Sequence, residues 1–356
     1  MKRKILIYLS SFNLSLNKFK KIYDLLEEGE YSLDFLKNNE KIKEILKDDL
    51  YLNFIENCNE KYIDTYIKNL TSQDVKVVTI FDEEFPEKLF GIDDCPLVLY
   101  CKGNISLLNE QGIAIVGTRT PTNYGKIVTE KFSTFLAENG FVIISGLAYG
   151  IDSISHRSCL EVNGKTIAVL GGGFNYIYPS EHESLAKEIA EKGLIVSEYS
   201  PSYKATKYSF PQRNRIIAGL SEGVLITEAS LKSGTIHTKD FALDYGKDIF
   251  AIPGNVTSSA SDLPNEIIKT AQGECVVTPQ NILDYYHLNC KNMPKKVVQL
   301  SFEEEILINL LKNGEKDLEF LVENSKIPLG NLNGMLLTME IRGLITRLPG
   351  GVYSIK

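Results

Sequence analysis

Over residues 203–215 the chain carries Lys204, Lys207, Arg213 and Arg215 with no acidic residue, and Tyr203, Tyr208 and Phe210 are interleaved among them. Cations for phosphates and aromatic faces for unstacked bases are what a single-strand groove needs, and one stacked base contributes about 1–3 kcal/mol. A second acid-free stretch, 117–129, holds Arg119 and Lys126. Six segments rich in Gly, Ser and Thr each follow a short apolar run: GTRTPTNYGK (117–126), SGLAYGIDSISHR (145–157), GGGFNYIYP (171–179), SEYSP (197–201), EASLKSGTIHT (228–238) and PGNVTSSASDLPN (253–265). Small residues let backbone amides approach a phosphate, and the helix that each segment opens presents its N-terminal amides to anions. Together they predict a phosphate-binding rim along one edge of a sheet.

Other chemistries find less support. GTRTPT stands where a GxGxxG dinucleotide fingerprint would follow the first strand, and no GxxxxGK[ST] loop occurs. Ser145, Asp152, His156 and Ser233 make a triad only on paper, because no GxSxG elbow is present. Glu228 upstream of SGTIHT keeps a nucleotide-binding or nucleotide-hydrolysing enzyme of related fold as the alternative. His156 and Cys159 lie one helical turn apart without further ligands nearby, and the six cysteines show no CxxC pair. Reduced thiols, no metal and no cofactor are therefore expected. Net charge is −7, so any positive field has to be local. The N-terminal apolar run, Ile5 to Leu9, is too short for a signal peptide, and no 18-residue apolar stretch occurs. A soluble, cytoplasmic protein away from membranes is expected.

The elements that position these residues are legible in the hydrophobic pattern. Residues 1–72 read as a small all-α domain, of a SAM or helix-hairpin-helix kind, with Phe19, Ile22, Tyr23, Leu25, Leu26, Ile42, Ile45 and Leu46 at helical spacing. From Val75 the pattern changes. VKVVTIF and PLVLYCKG read as strands, and then GIAIVG (112–117), FVIIS (141–145), KTIAVLG (165–171), GLIVSE (193–198), GVLITE (223–228) and KDIFAIP (247–253) alternate with mostly helical stretches. This predicts an α/β, doubly wound, Rossmann-like parallel sheet over 73–290, covered on both faces. A polar connector, roughly 286–300, leads to a winged-helix domain over 296–356: three helices and two strands around a Pro-Gly-Gly turn. Residues 301–356 hold six Lys/Arg and eight Asp/Glu, and the expected recognition helix offers only Arg342. A major-groove reader needs phosphate-neutralising charge, so this domain is expected to contact protein.

Seven motifs stand in the order found in DprA/Smf proteins: VGTRTPTNYG, SGLAYGIDSISHR, TIAVLGGGFNYIYP, SEYSP, FPQRNRIIAGLS, TEASLKSGTIHT and FAIPGN. Upstream, DEEFPEKL and DDCPLVLYCKGN match as well, so the resemblance covers roughly residues 75–285. It implies a dimeric, non-catalytic protein that binds and protects single-stranded DNA and helps load RecA in transformation or recombination. Carried over by residue, it implies phosphate contact by Arg119 with Gly117 and Thr118, and Ser145 and Gly146 lining the same pocket. Lys207, Phe210, Arg213 and Arg215 would continue the DNA path, and Gly234 and Thr235 would supply a further nest; the residues themselves add Lys204, from the basic segment, and Ser233, beside the nest, to the expected DNA contacts. One departure stands out: Leu263 occupies the position, two before Asn265, where the family has Gly.

Overall fold

A computed structural model describes residues 1–290, 300–312 and 314–355. The first 72 residues form α1 (Lys2–Ser11), α2 (Leu16–Glu28), α3 (Leu33–Asn38), α4 (Glu40–Leu46), α5 (Asp48–Asn57) and α6 (Glu60–Ser72). Short polar residues start several of them: Ser32 Oγ accepts from the Phe35 amide and Asn59 Oδ1 from the Tyr62 amide. The run Ile5 to Leu9 makes α1 apolar all round, and all five side chains are buried. A helix of that kind belongs in the middle of a core. It packs with Ile22, Leu26, Ile42 and Leu46 against Val75, Val77, Val98 and Tyr100. The helices thus cover one face of the first two strands.

From there the chain alternates. β1 (Lys76–Thr79) and β2 (Val98–Gly103) are followed by β3 (Gly112–Val116), α7 (Asn123–Glu138), β4 (Val142–Ser145), α8 (Ile151–Glu161), β5 (Thr166–Leu170), α9 (Glu183–Lys192) and β6 (Leu194–Ser197). Then come α10 (Ser209–Leu220), β7 (Gly223–Ile226), α11 (Thr235–Asp244), β8 (Asp248–Ala251), α12 (Asp262–Lys269), β9 (Glu274–Cys275) and α13 (Gln280–Tyr285). The strands join one nine-stranded sheet in the order β1-β2-β6-β5-β4-β3-β7-β8-β9. β2 is antiparallel to β1 and to β6, and every other pairing is parallel. The alternation of side chains across a strand feeds two cores. Ala114 and Val116 face Ile216 and Ile217 of α10 and Ala242 of α11, whereas Ile113 and Ile115 face Phe132 and Leu136 of α7. The sheet is doubly wound: from β3 the chain builds outward through β4, β5 and β6, then returns to place β7 on the other side of β3. That reversal opens a crevice beyond the carboxyl ends of β3 and β7, where ligands of such folds bind.

Contacts group residues 1–291 into one compact unit and 292–356 into another. The connector read over 286–300 falls mostly on 291–299, outside the described residues. In the second unit stand α14 (Phe302–Leu311), β10 (Lys316–Asp317), α15 (Leu318–Ser325), α16 (Leu329–Ile341), β11 (Ile345–Leu348) and β12 (Val352–Ile355). A capping box between Ser301 and Glu304 starts α14. Leu307, Leu321, Leu332, Leu336 and Met339 fill the core, and Gly350 and Gly351 take positive φ at the hairpin turn. This is a winged helix, with β10 as a short third strand that the sequence pattern did not reveal. Among the described residues no helix is long and apolar enough to cross a membrane.

Candidate nucleic-acid interface

At the crevice beyond β3 and β7 lies a cleft of about 780 Å³. Gly117, Thr118 and Arg119 line it together with Ser233, Gly234 and Thr235, with Lys207 just before α10 and with Phe210 and Arg213 in the N-terminal half of α10. Nine of the thirteen residues singled out in the sequence therefore meet in one place. Two of the six small-residue segments, 197–201 and 253–265, contribute nothing to the lining.

The loop after β3 is held from beneath. Thr118 N donates to the Glu228 carbonyl at 2.6 Å, and the Glu228 carboxylate accepts from Thr122 N at 2.8 Å and Thr122 Oγ1 at 2.5 Å. Glu228 is 2% exposed, so its acid group is spent on fixing the loop. Gly117 is required by packing: a Cβ there would stand 2.7 Å from the Glu228 carbonyl oxygen and 2.6 Å from Ile151 Cγ1. Arg119 is exposed, and among the described residues it has no ion-pair or hydrogen-bond partner. Lys207 is exposed as well, with its ammonium 5.0 Å from the Tyr208 ring centroid. In the same lining, Gly234 is the N-cap of α11, a ten-residue helix, and a Cβ built on it meets nothing within 4 Å. A phosphate between these walls would have two unpaired cations and a helix N-terminus in reach.

Arg213 plays a different part from the one expected. It is 5% exposed, and its Nη1 donates to the Gly146 carbonyl at 2.6 Å and to the Val169 carbonyl, tying the ends of β4 and β5 together. Burial lowers its pKa to about 10, partly offset by the Asp152 carboxylate, so it stays charged at neutral pH. Asp152 accepts from Gly146 N at 3.1 Å and Ala148 N at 3.4 Å, and desolvation raises its pKa against the pull of Arg213. Gly146 is the seat of this guanidinium, since a Cβ there would lie 2.6 Å from its carbon and nitrogens.

Four of the thirteen do not line the cleft. Gly146 lies beneath it. Ser145 is fully buried and donates to the Ile115 carbonyl at 2.7 Å. Arg215 is 2% exposed and pairs with Glu198 at 2.5 Å, on the opposite face of α10 from Phe210, because five residues at 100° each carry it out of the cleft. Lys204 is exposed beside the cleft, 5.0 Å from the Tyr176 ring centroid. Conversely, Tyr178, Asn214 and His237 line the cleft and were not singled out. Asn214 had a signal, since it stands four residues after Phe210 in a helical stretch.

The paper triad does not assemble. His156 is buried, and its Nδ1 meets Thr166 Oγ1 at 2.7 Å; the Thr166 hydroxyl donates to the Ile143 carbonyl, so Nδ1 is the donor. Ser233 Oγ meets Thr235 Oγ1 at 2.9 Å. A larger cavity of about 1090 Å³ lies between α6, β1 and α9, but Arg3, Lys76 and Lys102 there face Asp74, Asp82 and Glu84. Such mixed charge gives a polyanion no net attraction.

The family described as DNA recombination-mediator protein A matches residues 76–287, and the DprA winged helix domain matches residues 293–351. This chain belongs to the DprA family. Protein Smf of Escherichia coli is 36% identical over 289 residues, covering 77% of this chain and 76% of its own. DNA processing protein DprA of Bacillus subtilis is 41% identical over 198 residues, covering 55% of this chain and 67% of its own. Among solved structures, DprA of Streptococcus pneumoniae superposes with a TM-score of 0.67 at 33% identity, over 78% of this chain and 95% of that one. DprA of Helicobacter pylori, solved in a study of its single-stranded DNA binding mode, superposes with a TM-score of 0.55 at 34% identity, over 60% and 95%. Leu263, the departure from the DprA pattern, is buried in the first turn of α12, and its amide donates to the Ala229 carbonyl at 3.0 Å. Asn265 pins the preceding loop through Gly254, accepting from its amide at 3.1 Å and donating to its carbonyl at 3.2 Å. Leu is compatible with the loop.

Proposed function

We propose that this DprA-family protein binds single-stranded DNA in the cleft beyond β3 and β7, without catalysis, and helps load RecA onto that strand as a cytoplasmic dimer. One observation carries the reading: two exposed cations with no acidic partner, Arg119 and Lys207, flank a cleft that also holds Phe210 and an open helix N-terminus. Phosphates take the cations, and an unstacked base takes the ring. The H. pylori relative, whose structure concerns its single-stranded DNA binding mode, supports the same ligand. Absence of catalysis is supported by the commitments of three acid–base groups at and beneath the cleft. Glu228 caps a loop, Asp152 caps another beneath Arg213, and His156 bonds Thr166.

The test is an anisotropy titration of labelled oligo-dT and of a duplex of equal length, across salt concentrations. The single strand is expected to bind more tightly, and its affinity to fall with salt. Equal affinity for the duplex would defeat the reading. The RecA role is tested by RecA filament formation on strands coated with single-strand-binding protein, which the protein should accelerate; sedimentation tests the dimer.

A further inference from the structure

We propose that the bound strand leaves the cleft across an aromatic ledge, where Tyr178 and then Tyr176 stack nucleobases and Lys204 neutralises the phosphate between them. The proposal rests on the cleft being a single-strand site, and it extends that site to residues outside it. Tyr178 belongs to the cleft lining and packs on Phe210, with ring centroids 5.3 Å apart, so the ledge begins where the cleft ends. Two residues earlier stands Tyr176, with the Lys204 ammonium 5.0 Å from its centroid. The two tyrosines are 54% and 45% exposed.

Two isolated exposed tyrosines would need no explanation. These are held in register by a wall built for the purpose. Gly173 N donates to the Tyr203 carbonyl at 2.9 Å and Asn175 N to the Pro201 carbonyl at 3.0 Å, so loop 171–179 lies flush on loop 200–208. Only glycines permit that approach: a Cβ on Gly173 would stand 2.1 Å from the Ser200 carbonyl oxygen, and one on Gly172 3.0 Å from Ala205 Cβ. The GGG run therefore braces the wall and does not itself cradle phosphate. Neither loop contains an acidic residue, whereas Lys204 and Lys207 both stand on the second. Just beyond them, Glu181 is engaged with Tyr149, and two loops that present aromatic faces and cations but no acids of their own fit a polyanion with unstacked bases better than a protein partner.

The chain contains no tryptophan, which makes Tyr176→Trp a sole reporter on the ledge. Its emission should be quenched by oligo-dT of about 16 nucleotides, in step with anisotropy of the same oligomer, and much less by one of about 4, the two ends of the usual range of site sizes. Tyr176→Ala with Tyr178→Ala should weaken the longer oligomer by about fivefold or more, the loss of at least one stacked base. If the longer oligomer binds by anisotropy without quenching, and the double variant binds it as the parent does, the ledge is wrong while the cleft stands. Should the parent itself show no binding to oligo-dT, the cleft reading fails and takes the ledge with it.

Discussion

Arg119, on the loop after β3, and Arg215, at the end of the basic segment 203–215, carry the same charge, and the structure assigns them opposite fates. Replacing each by alanine separates binding from folding. Arg119 is exposed and unpaired, so Arg119→Ala should leave thermal stability unchanged. Arg119 and Lys207 in the cleft and Lys204 on its wall are exposed cations. If each neutralises one phosphate, counterion release gives a slope of log affinity against log salt of about −0.7 per contact on a single strand, or about −2.1 for three. Raising salt from about 50 to about 200 mM would then cost the parent about 18-fold in affinity and Arg119→Ala about 7-fold. Arg215 is buried against Glu198 at 2.5 Å, and its removal leaves a carboxylate without its cation in a dry site. Arg215→Ala should therefore cost about 3–5 kcal/mol of stability, and where the variant remains folded its salt slope should match the parent. Anisotropy titrations at four salt concentrations, paired with urea unfolding, read both quantities. An unchanged slope in Arg119→Ala, or a lowered slope in a fully stable Arg215→Ala, would refute the assignment of these two side chains.

Two further outcomes follow from buried groups. His156 is fully buried, and desolvation, aided by repulsion from His182 and Arg213, pushes its pKa down to about 3 from the ordinary 6.5. Between those values the unfolded chain holds a proton that the folded one does not. Stability should fall as pH drops below about 6.5, by up to about 1.4 kcal/mol per pH unit from this side chain; urea unfolding at two pH values, with His156→Gln lacking that share of the dependence, checks it. Glu228→Ala strips acceptors from Thr122 N and Thr122 Oγ1, so it should destabilise by about 1–3 kcal/mol and weaken strand binding by loosening the loop that bears Arg119. Neither this variant nor the parent should release base or sugar phosphate from a nucleotide panel, and turnover by the parent would revive the hydrolase alternative.

Much of this architecture is written in the pattern of side chains. Runs such as GIAIVG and GVLITE are short, β-branched and bounded by turn residues, which leaves little but a buried parallel strand, and their order with intervening helices dictates a doubly wound sheet. The two-residue strands β9 and β10 are invisible because no periodicity exists over two residues. Reading 203–215 as a basic aromatic segment brought Lys207 and Phe210 to the right place, yet charge alone treated Arg213 and Arg215 as equivalents. Their helical phase, from Ser209 onward, separates them: Phe210, Arg213, Asn214 and Ile217 share the cleft face, and Arg215 does not. The family resemblance implies Ser145 and Gly146 as pocket lining, and they do end a strand at the correct edge. Which end-of-strand residue points outward depends on the buried Arg213, a tertiary partner from 67 positions away that local spacing cannot announce. Tyr178 and His237 escaped for the same reason, since each reaches the cleft only through the packing of its loop or helix.

The glycine contact between the loops after β5 and β6 has a thermodynamic corollary. Because one backbone rests directly on the other, the tyrosines are already arrayed before any nucleotide arrives, and association need freeze little beyond the nucleic acid itself. A methyl group at residue 173 would pry the two layers apart and convert a rigid palisade into two wandering segments. The same chemical groups would then be present, but each encounter would have to assemble them anew.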